Sequence, residues 1–126
     1  MPYDLLIKNG IVIDPAQGVH RRCDVAVKDG RIAALGEALP AEEACDVFDA
    51  SSYYVTPGLI DLHIHIYPGV TTWGIDPDPI CLCHGVTTAV DAGSAGWATF
   101  PGFRDLIVAR AQARIRAFVH VCAIGL

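Results

Sequence analysis

Two histidines one residue apart, His63 and His65, are the side chains of this chain best suited to chemistry. They close residues 59–66, a segment in which every second residue is aliphatic. Because side chains two residues apart on a β-strand share a face, both imidazoles lie beside Asp61 and the opposite face is apolar. Neutral imidazole is a common zinc ligand. The pattern therefore predicts a strand that offers two metal ligands, with two hydrogen-bonded core histidines as the alternative.

Two carboxylates and a hydroxyl are candidates for supporting such a site. Asp61 lies roughly 6.5 Å below His63 along the strand, from where it could orient a ligand imidazole. The alternative is a hydrogen-bonding or ion-pairing role at the floor of a barrel. Asp91 is expected to end the next strand, 86–91, before a loop of small residues, 92–96. Asp91 and Ser94 are predicted to contact substrate or to support the ligands. The alternative is a tight connection whose glycines satisfy its dihedral angles.

The loop after the first of these strands carries Tyr67, Trp73 and Asp76. Loops that follow strands shape substrate pockets, so Tyr67 is a candidate substrate contact, with packing as a lid the alternative. Cys81, Cys83 and His84 do not have ligand-like spacing, because helical residues two apart face different ways. We expect them to pack and to cap a helix.

Histidines elsewhere in the chain are weaker candidates. His20 is expected in an exposed turn. His120 lies in a later predicted strand, and whether its face turns toward the site is left open. The basic residues Arg110, Arg114 and Arg116 form the one cluster of positive side chains, which is expected on the solvated flank of a helix.

Composition excludes several classes of protein. Hydrophobic residues make up 52% of the 126-residue chain and charged residues 18%, which is typical of a folded core. A formal net charge of -5 argues against nucleic acid as a partner. The five cysteines lack a disulfide framework, which predicts reduced thiols in the cytoplasm. Neither a signal peptide nor a stretch of roughly 20 apolar residues occurs, so no membrane partner is expected.

The chain changes character near Pro57. Earlier residues form short apolar runs, with Asn9-Gly10 and Asp29-Gly30 as type I′ hairpin signals, which predicts a small antiparallel sheet. Later residues alternate between strand and helix, which predicts parallel strands joined by helices. The predicted strands are 59–66, 86–91 and 115–124, and the predicted helices are 78–84 and 103–113.

A (β/α)8 barrel covers the outer face of such strands and places active sites at their carboxyl ends. A complete barrel needs roughly 250 residues. The predicted fold class is therefore α/β, the start of a (β/α)8 barrel, in an amino-terminal fragment.

Four segments together resemble one known family. They are "IKNGIVIDP", "DVAVKDGRIAALG", "VTPGLIDLHIH" and "HGVTTAVDAGSAG". The chain is similar to the amidohydrolase superfamily of metal-dependent hydrolases, in its dihydroorotase-like and deacetylase branch. Three shorter stretches, "HIYPG", "GIDPD" and "VDAGSAG", resemble the metallo-deacetylases of that branch.

The resemblance implies a fold and a cofactor. Residues 1–56 would form part of a β-sandwich assembled from both chain ends, and residues 57–126 the first βα units of the barrel. One or two divalent metals, usually zinc, would bind each full-length subunit, with His63 and His65 as ligands of the more buried metal. The remaining ligands and the general base would lie beyond Leu126, and the 126-residue chain alone is expected to be inactive.

The implied reaction is hydrolysis of an amide or ester bond of a small molecule by metal-activated water, in a deacetylase or cyclic amidase. Dihydroorotases tend to carry an arginine just after the histidine pair, and residues 66–69 contain none, which disfavours dihydroorotate. A homo-oligomer is left open. The rival interpretation is a non-catalytic assembly or binding module of the same fold.

Overall fold

The structure is a computed structural model that describes residues 2–126. Met1, the first residue of the predicted domain 1–56, lies outside the described residues. The chain divides into two compact units, one that ends at Pro57 and one that runs from Gly58 to Leu126. No helix among residues 2–126 has the length and apolar character needed to cross a bilayer.

The first unit is built from short strands in two sheets. The strands are β1 Tyr3–Lys8, β2 Ile11–Asp14, β3 Val19–Arg22, β4 Asp24–Lys28, β5 Arg31–Gly36, β6 Ala44–Asp49 and β7 Tyr54–Val55. Within the described residues one sheet has the order β5-β4-β1-β6 and the other has the order β3-β2-β7. A single turn of 3-10 helix, Ala41–Glu43, precedes β6.

One of the two predicted hairpins is confirmed. Strands β4 and β5 pair in antiparallel fashion, with Lys28 opposite Arg31. Asp29 and Gly30 between them have φ angles of 50° and 69°, as a type I′ turn requires. The Asp29-Gly30 signal and the alternating residues on either side of it therefore predict the same hairpin, and the structure contains it.

The predicted Asn9-Gly10 hairpin is wrong. Asn9 has the expected positive φ of 64°, but β1 and β2 do not pair with each other. The chain turns from one sheet into the other, and the Asn9 amide donates a hydrogen bond to the Asp24 carboxylate at 2.8 Å. A β-carbon on Gly10 would clash with the side chain of Val55, so tight packing explains the glycine.

The predicted purely antiparallel sheet is also wrong. Strand β1 pairs with β6, and β2 with β7, in parallel. Alternating apolar residues indicate which face of a strand is buried, but they do not encode the direction of its neighbour.

A buried aspartate joins three segments of the first unit. Asp24 is 3% exposed, and its carboxylate accepts hydrogen bonds from the Lys8 ammonium at 3.0 Å and from the amides of Asn9 and Leu39. Burial acts to raise the pKa of Asp24, but these hydrogen bonds and the Lys8 charge outweigh burial and leave the pKa below its usual value. Asp24 is therefore held as a carboxylate.

The second unit confirms the α/β fold class. Its elements are β8 Leu59–Ile64, α1 Pro77–Leu82, β9 Val86–Gly96, α2 Phe100–Phe103 and β10 Arg114–His120. The three strands form a parallel sheet in the order β10-β9-β8, with helical segments between them. Helix α2 continues directly into a π-helical segment, Arg104–Val108.

Several predicted boundaries in this unit are wrong. The first helix covers Pro77–Leu82 instead of 78–84, and the second helical segment covers 100–108 instead of 103–113. The first strand ends at Ile64 instead of residue 66, and the last strand covers Arg114–His120 instead of 115–124.

Strand β9 continues to Gly96, so the predicted loop 92–96 is strand. Small residues rarely favour strand, but here β10 runs alongside, with Phe118 opposite Ala92 and His120 opposite Gly96 across a shift in register. The pairing comes from a distant strand and is not revealed by the local sequence.

The core of the second unit lies between the sheet and its helices. Phe103 and Ile66 are fully buried, and the Tyr67 ring meets the Phe103 ring edge to face at 5.1 Å. Ile64 and Ile66 of the predicted apolar face are buried, whereas Ile60 and Leu62 are exposed. The apolar face of β8 therefore packs at its carboxyl end, next to the two histidines.

Candidate metal-binding site

A β-bulge lies at residues 62–63 of β8, so it includes His63 and precedes His65. Asp61 pairs with Ala89 and Ile64 with Asp91, so β8 has one more residue than β9 across this interval. The Asp61 carboxylate accepts a hydrogen bond from the His63 amide at 2.9 Å. The Asp61 side chain thus bonds to the backbone of His63 and satisfies its amide at the bulge. Bulges re-aim side chains and are common beside active sites.

The two imidazoles lie next to each other at the carboxyl end of β8. Their ring centroids are 5.5 Å apart and the rings are nearly perpendicular, at 81°. His63 is exposed and His65 is half-buried. The Nδ1 atom of His65 forms a 3.1 Å hydrogen bond with the Ser94 hydroxyl, so Nε2 is the nitrogen left for another partner.

Asp91 lies in the middle of β9 and is fully buried. One carboxylate oxygen accepts the Ile66 amide at 2.9 Å, and the other accepts the amides of Gly93 and Ser94 at 3.0 and 2.7 Å. The backbone pairing between β8 and β9 ends at Ile64, and two residues later the Ile66 amide bonds to the Asp91 side chain instead of to a backbone carbonyl. Asp91 therefore connects the segment carrying His65 to the segment carrying Ser94.

This donor set matches part of a zinc site. Two imidazoles separated by one residue of the chain suit zinc, and a hydrogen bond on the far ring nitrogen is typical of a ligand histidine. Among residues 2–126 no group of three or more His, Cys, Asp or Glu side chains could hold a metal ion. Within these residues His63 and His65 could therefore supply part of a ligand set and not a complete one.

The aromatic candidates of the following loop lie in different environments. Tyr67 is buried, and its hydroxyl donates a hydrogen bond to the Thr99 carbonyl at 3.3 Å. Trp73 is 71% exposed, and Asp76 caps the first turn of α1 by accepting the Asp78 amide. Tyr67 therefore packs within the unit, and the structure does not bring Trp73 or Asp76 to the two histidines.

His84 and His120 of this unit have local hydrogen-bond partners, and Cys81 is packed in its core. His120 Nδ1 accepts the Cys122 amide, which places the ring proton on Nε2 and leaves neither nitrogen free as a ligand. His84 Nδ1 bonds the Ile80 carbonyl near the end of α1. Burial, followed by the charges of Asp61 and Asp78, raises the pKa of the Cys81 thiol. Cys81 is thus kept as a thiol and packs in the core.

Two residues that support this region were missed from the sequence. Asp78 accepts the amides of Gln112 and Ala113 and ties α1 to the segment before β10. The Thr99 hydroxyl bridges the Gly96 amide and the Ile124 carbonyl. No local signal marks either residue, because each one bonds to a distant segment.

Comparisons of sequence and structure with known proteins identify the family of this chain. No family model matches the chain. A deacetylase of Agrobacterium fabrum is 47% identical over 98 residues, which are 78% of this chain and 24% of the relative. The crystal structure of a dihydroorotase superposes on 97% of this chain with a TM-score of 0.78 and 37% identity, and 32% of that chain is covered. The chain belongs to the amidohydrolase superfamily.

A second solved amidohydrolase structure extends the comparison. The N-acyl-D-glutamate deacylase of Bordetella bronchiseptica, solved with zinc and a phosphonate mimic of the tetrahedral intermediate, covers 94% of this chain with a TM-score of 0.66 and 28% identity. Our chain spans about a quarter to a third of the length of these amidohydrolases and matches their amino-terminal part. Metal dependence is a property of these relatives.

Proposed function

We propose that the protein containing this chain is a metal-dependent hydrolase that cleaves a carbon–nitrogen bond other than a peptide bond in a small molecule. The observation that carries the proposal is the pair of adjacent imidazoles at the carboxyl end of β8, with the Nδ1 atom of His65 bonded to Ser94. Active sites of barrel enzymes lie at this end of the strands. The deacetylase and dihydroorotase relatives support an amide substrate, with an ester as the alternative.

His63 and His65 would hold the metal through their free ring nitrogens. A bound divalent metal, for which we propose zinc, lowers the pKa of a bound water toward about 7 and polarises the scissile carbonyl. The chain's own contribution is position. The Asp61 carboxylate accepts the His63 amide at the bulge, and the Asp91 carboxylate accepts the amide that follows His65 and the amide of Ser94.

We further propose that the protein works in the cytoplasm. The five cysteines of the described chain are all unpaired. Thiols are kept reduced in the cytoplasm, whereas secreted proteins tend to pair them.

The test uses protein expressed from the complete reading frame. N-acetylated amino acids, cyclic amides and matched esters are assayed before and after chelation and after zinc is restored. We expect hydrolysis that chelation abolishes and zinc restores. We expect His63→Ala and His65→Ala to lose at least about 100-fold in kcat/KM, because removal of a direct ligand should exceed the 10–100-fold loss typical of outer partners.

The exposed His20 in β3 of the first unit provides the control variant, His20→Ala, which should keep wild-type turnover. Wild-type turnover in His63→Ala with stoichiometric metal would contradict the proposal. Zinc binding without hydrolysis of any amide or ester would favour the rival interpretation, a binding module of the same fold.

A further inference from the structure

Ser94 is the fully buried hydroxyl that reaches His65 across the sheet. The two residues are 29 positions apart in the sequence, and 3.1 Å separates the Ser94 oxygen from His65 Nδ1. A hydroxyl can donate to a bare ring nitrogen or accept from a protonated one, so this contact is compatible with either neutral tautomer of His65. The choice matters, because only a ring protonated at Nδ1 leaves a lone pair on Nε2.

The position of this hydroxyl is set by Asp91, which also holds the chain beside His65. Its carboxylate accepts the amide of Ser94 at 2.7 Å and the amide of Ile66 at 2.9 Å. One buried side chain thereby holds the residue that carries the hydroxyl and the residue next to the imidazole. Both partners of the Ser94–His65 hydrogen bond therefore lie on backbone that is hydrogen-bonded to Asp91.

His120 shows what a different partner does to an imidazole in the same sheet. Its Nδ1 accepts a hydrogen bond from the Cys122 amide at 3.1 Å, which requires a bare Nδ1 and a proton on Nε2. A backbone amide can only donate. A serine hydroxyl can accept, and it is therefore the kind of partner that allows the opposite tautomer at His65.

We propose that Ser94 is a positioning residue that accepts a hydrogen bond from the Nδ1–H of His65 and so keeps the Nε2 lone pair free for a metal, with Asp91 holding Ser94 in place. This inference rests on the proposed function, because it assigns a ligand role to His65. Ser94 would act on the His65 ring, and Asp91 would act on the backbone of both segments.

The test reads the tautomer of His65 by nitrogen NMR without metal. Protein from the complete reading frame is labelled with 15N-histidine, stripped of metal and studied about two pH units above the ordinary imidazole pKa of about 6.5. A His65→Gln variant identifies the His65 signals. We expect the wild-type ring to be protonated at Nδ1 and bare at Nε2, and we expect Ser94→Ala to lose this single tautomer.

A control variant removes a different hydroxyl from the same region. Thr99→Val loses hydrogen bonds at the end of β9 but does not touch His65, so its His65 signals should match the wild type. Zinc affinity, measured by competition with a chelator, should fall about 10–100-fold in Ser94→Ala and stay unchanged in Thr99→Val.

A wild-type ring with a bare Nδ1, or an unchanged tautomer in Ser94→Ala, would overturn the inference. The wild-type spectrum alone decides if Ser94→Ala does not fold. Failure of the proposed function has a different signature: the tautomer behaves as expected, but zinc binding does not depend on His63 and His65.

Discussion

Each unit of the chain contains one buried aspartate, and the two carboxylates are held in different ways. Asp24 in the first unit is held by two backbone amides and the Lys8 ammonium. Asp91 in the second unit is held by three backbone amides. The ion pairs among residues 2–126 include Asp24 but not Asp91.

The difference shows that a buried carboxylate bonded to backbone amides can have two different roles. Asp24 joins β1, β4 and the segment at Leu39, and its charge is neutralised within the unit. Asp91 joins the end of β8 to β9 beside two imidazoles, and its side-chain oxygens accept hydrogen bonds from backbone amides. The first carboxylate therefore organises a sheet, and the second organises the surroundings of a candidate metal ligand.

The largest effect is expected at Asp91. Asp91→Ala leaves three buried amides without partners, and each unmet buried group costs about 1–3 kcal/mol. We expect the free energy of unfolding in urea to fall by about 3–5 kcal/mol. Asp105→Ala removes an exposed aspartate from the same unit and should leave the unfolding midpoint unchanged. A loss below about 1 kcal/mol in Asp91→Ala would show that the three amides find other partners.

The next effect is the response of Asp24 to pH. Its pKa in the folded chain lies below the unfolded value of about 3.9, so its stabilisation is complete above that value and is lost as pH falls through the folded pKa. Asp24→Asn should reduce the free energy of unfolding by about 2–4 kcal/mol at neutral pH, and the gap should shrink below about pH 4. A gap that does not change with pH would contradict the ionised state of Asp24.

A smaller effect concerns the turn of the first unit that the sequence predicted correctly. Gly30 has a φ of 69°, where a β-carbon costs about 1 kcal/mol. Gly30→Ala should therefore lower the free energy of unfolding by about 1 kcal/mol. Gly30→Asn provides the control, because asparagine tolerates a positive φ and should cost less than alanine at this position. An unaffected Gly30→Ala protein would argue against the type I′ turn.

The smallest change compares two cysteines of the second unit and needs no mutation. The pKa of Cys81 is raised, first by its burial, whereas Cys83 is exposed. Iodoacetamide should modify Cys83 in the folded protein and Cys81 only after unfolding, since the thiolate is the reactive form. Mass spectrometry of the peptides reports both rates. Equal rates would contradict the burial of Cys81.

The sequence predicted the parts of the fold that local chemistry determines. Asp29-Gly30 gave the correct turn because both residues accept a positive φ and the flanking strands pair directly. Asn9-Gly10 carried the same signal and failed, because the Asn9 amide bonds to Asp24, 15 residues away. Identical turn residues can thus serve a hairpin or a corner between sheets, and only the tertiary partner distinguishes them.

The histidine pair was predictable, and its environment was not. Spacing placed His63 and His65 near one strand end, but the bulge after Asp61 depends on the register with β9. The hydrogen bond between Ser94 and His65 requires β9 to continue through a segment of small residues that indicated a loop. Pairing between distant strands, which local propensity does not encode, determined both features.

The most direct test of the central claim is to locate the metal. Crystals of protein expressed from the complete reading frame are grown with zinc, and anomalous diffraction is recorded on both sides of the zinc absorption edge. The account predicts a zinc peak at about 2.0–2.1 Å from one ring nitrogen of each of His63 and His65. A fully occupied zinc site elsewhere, with both imidazoles free of metal, would contradict it.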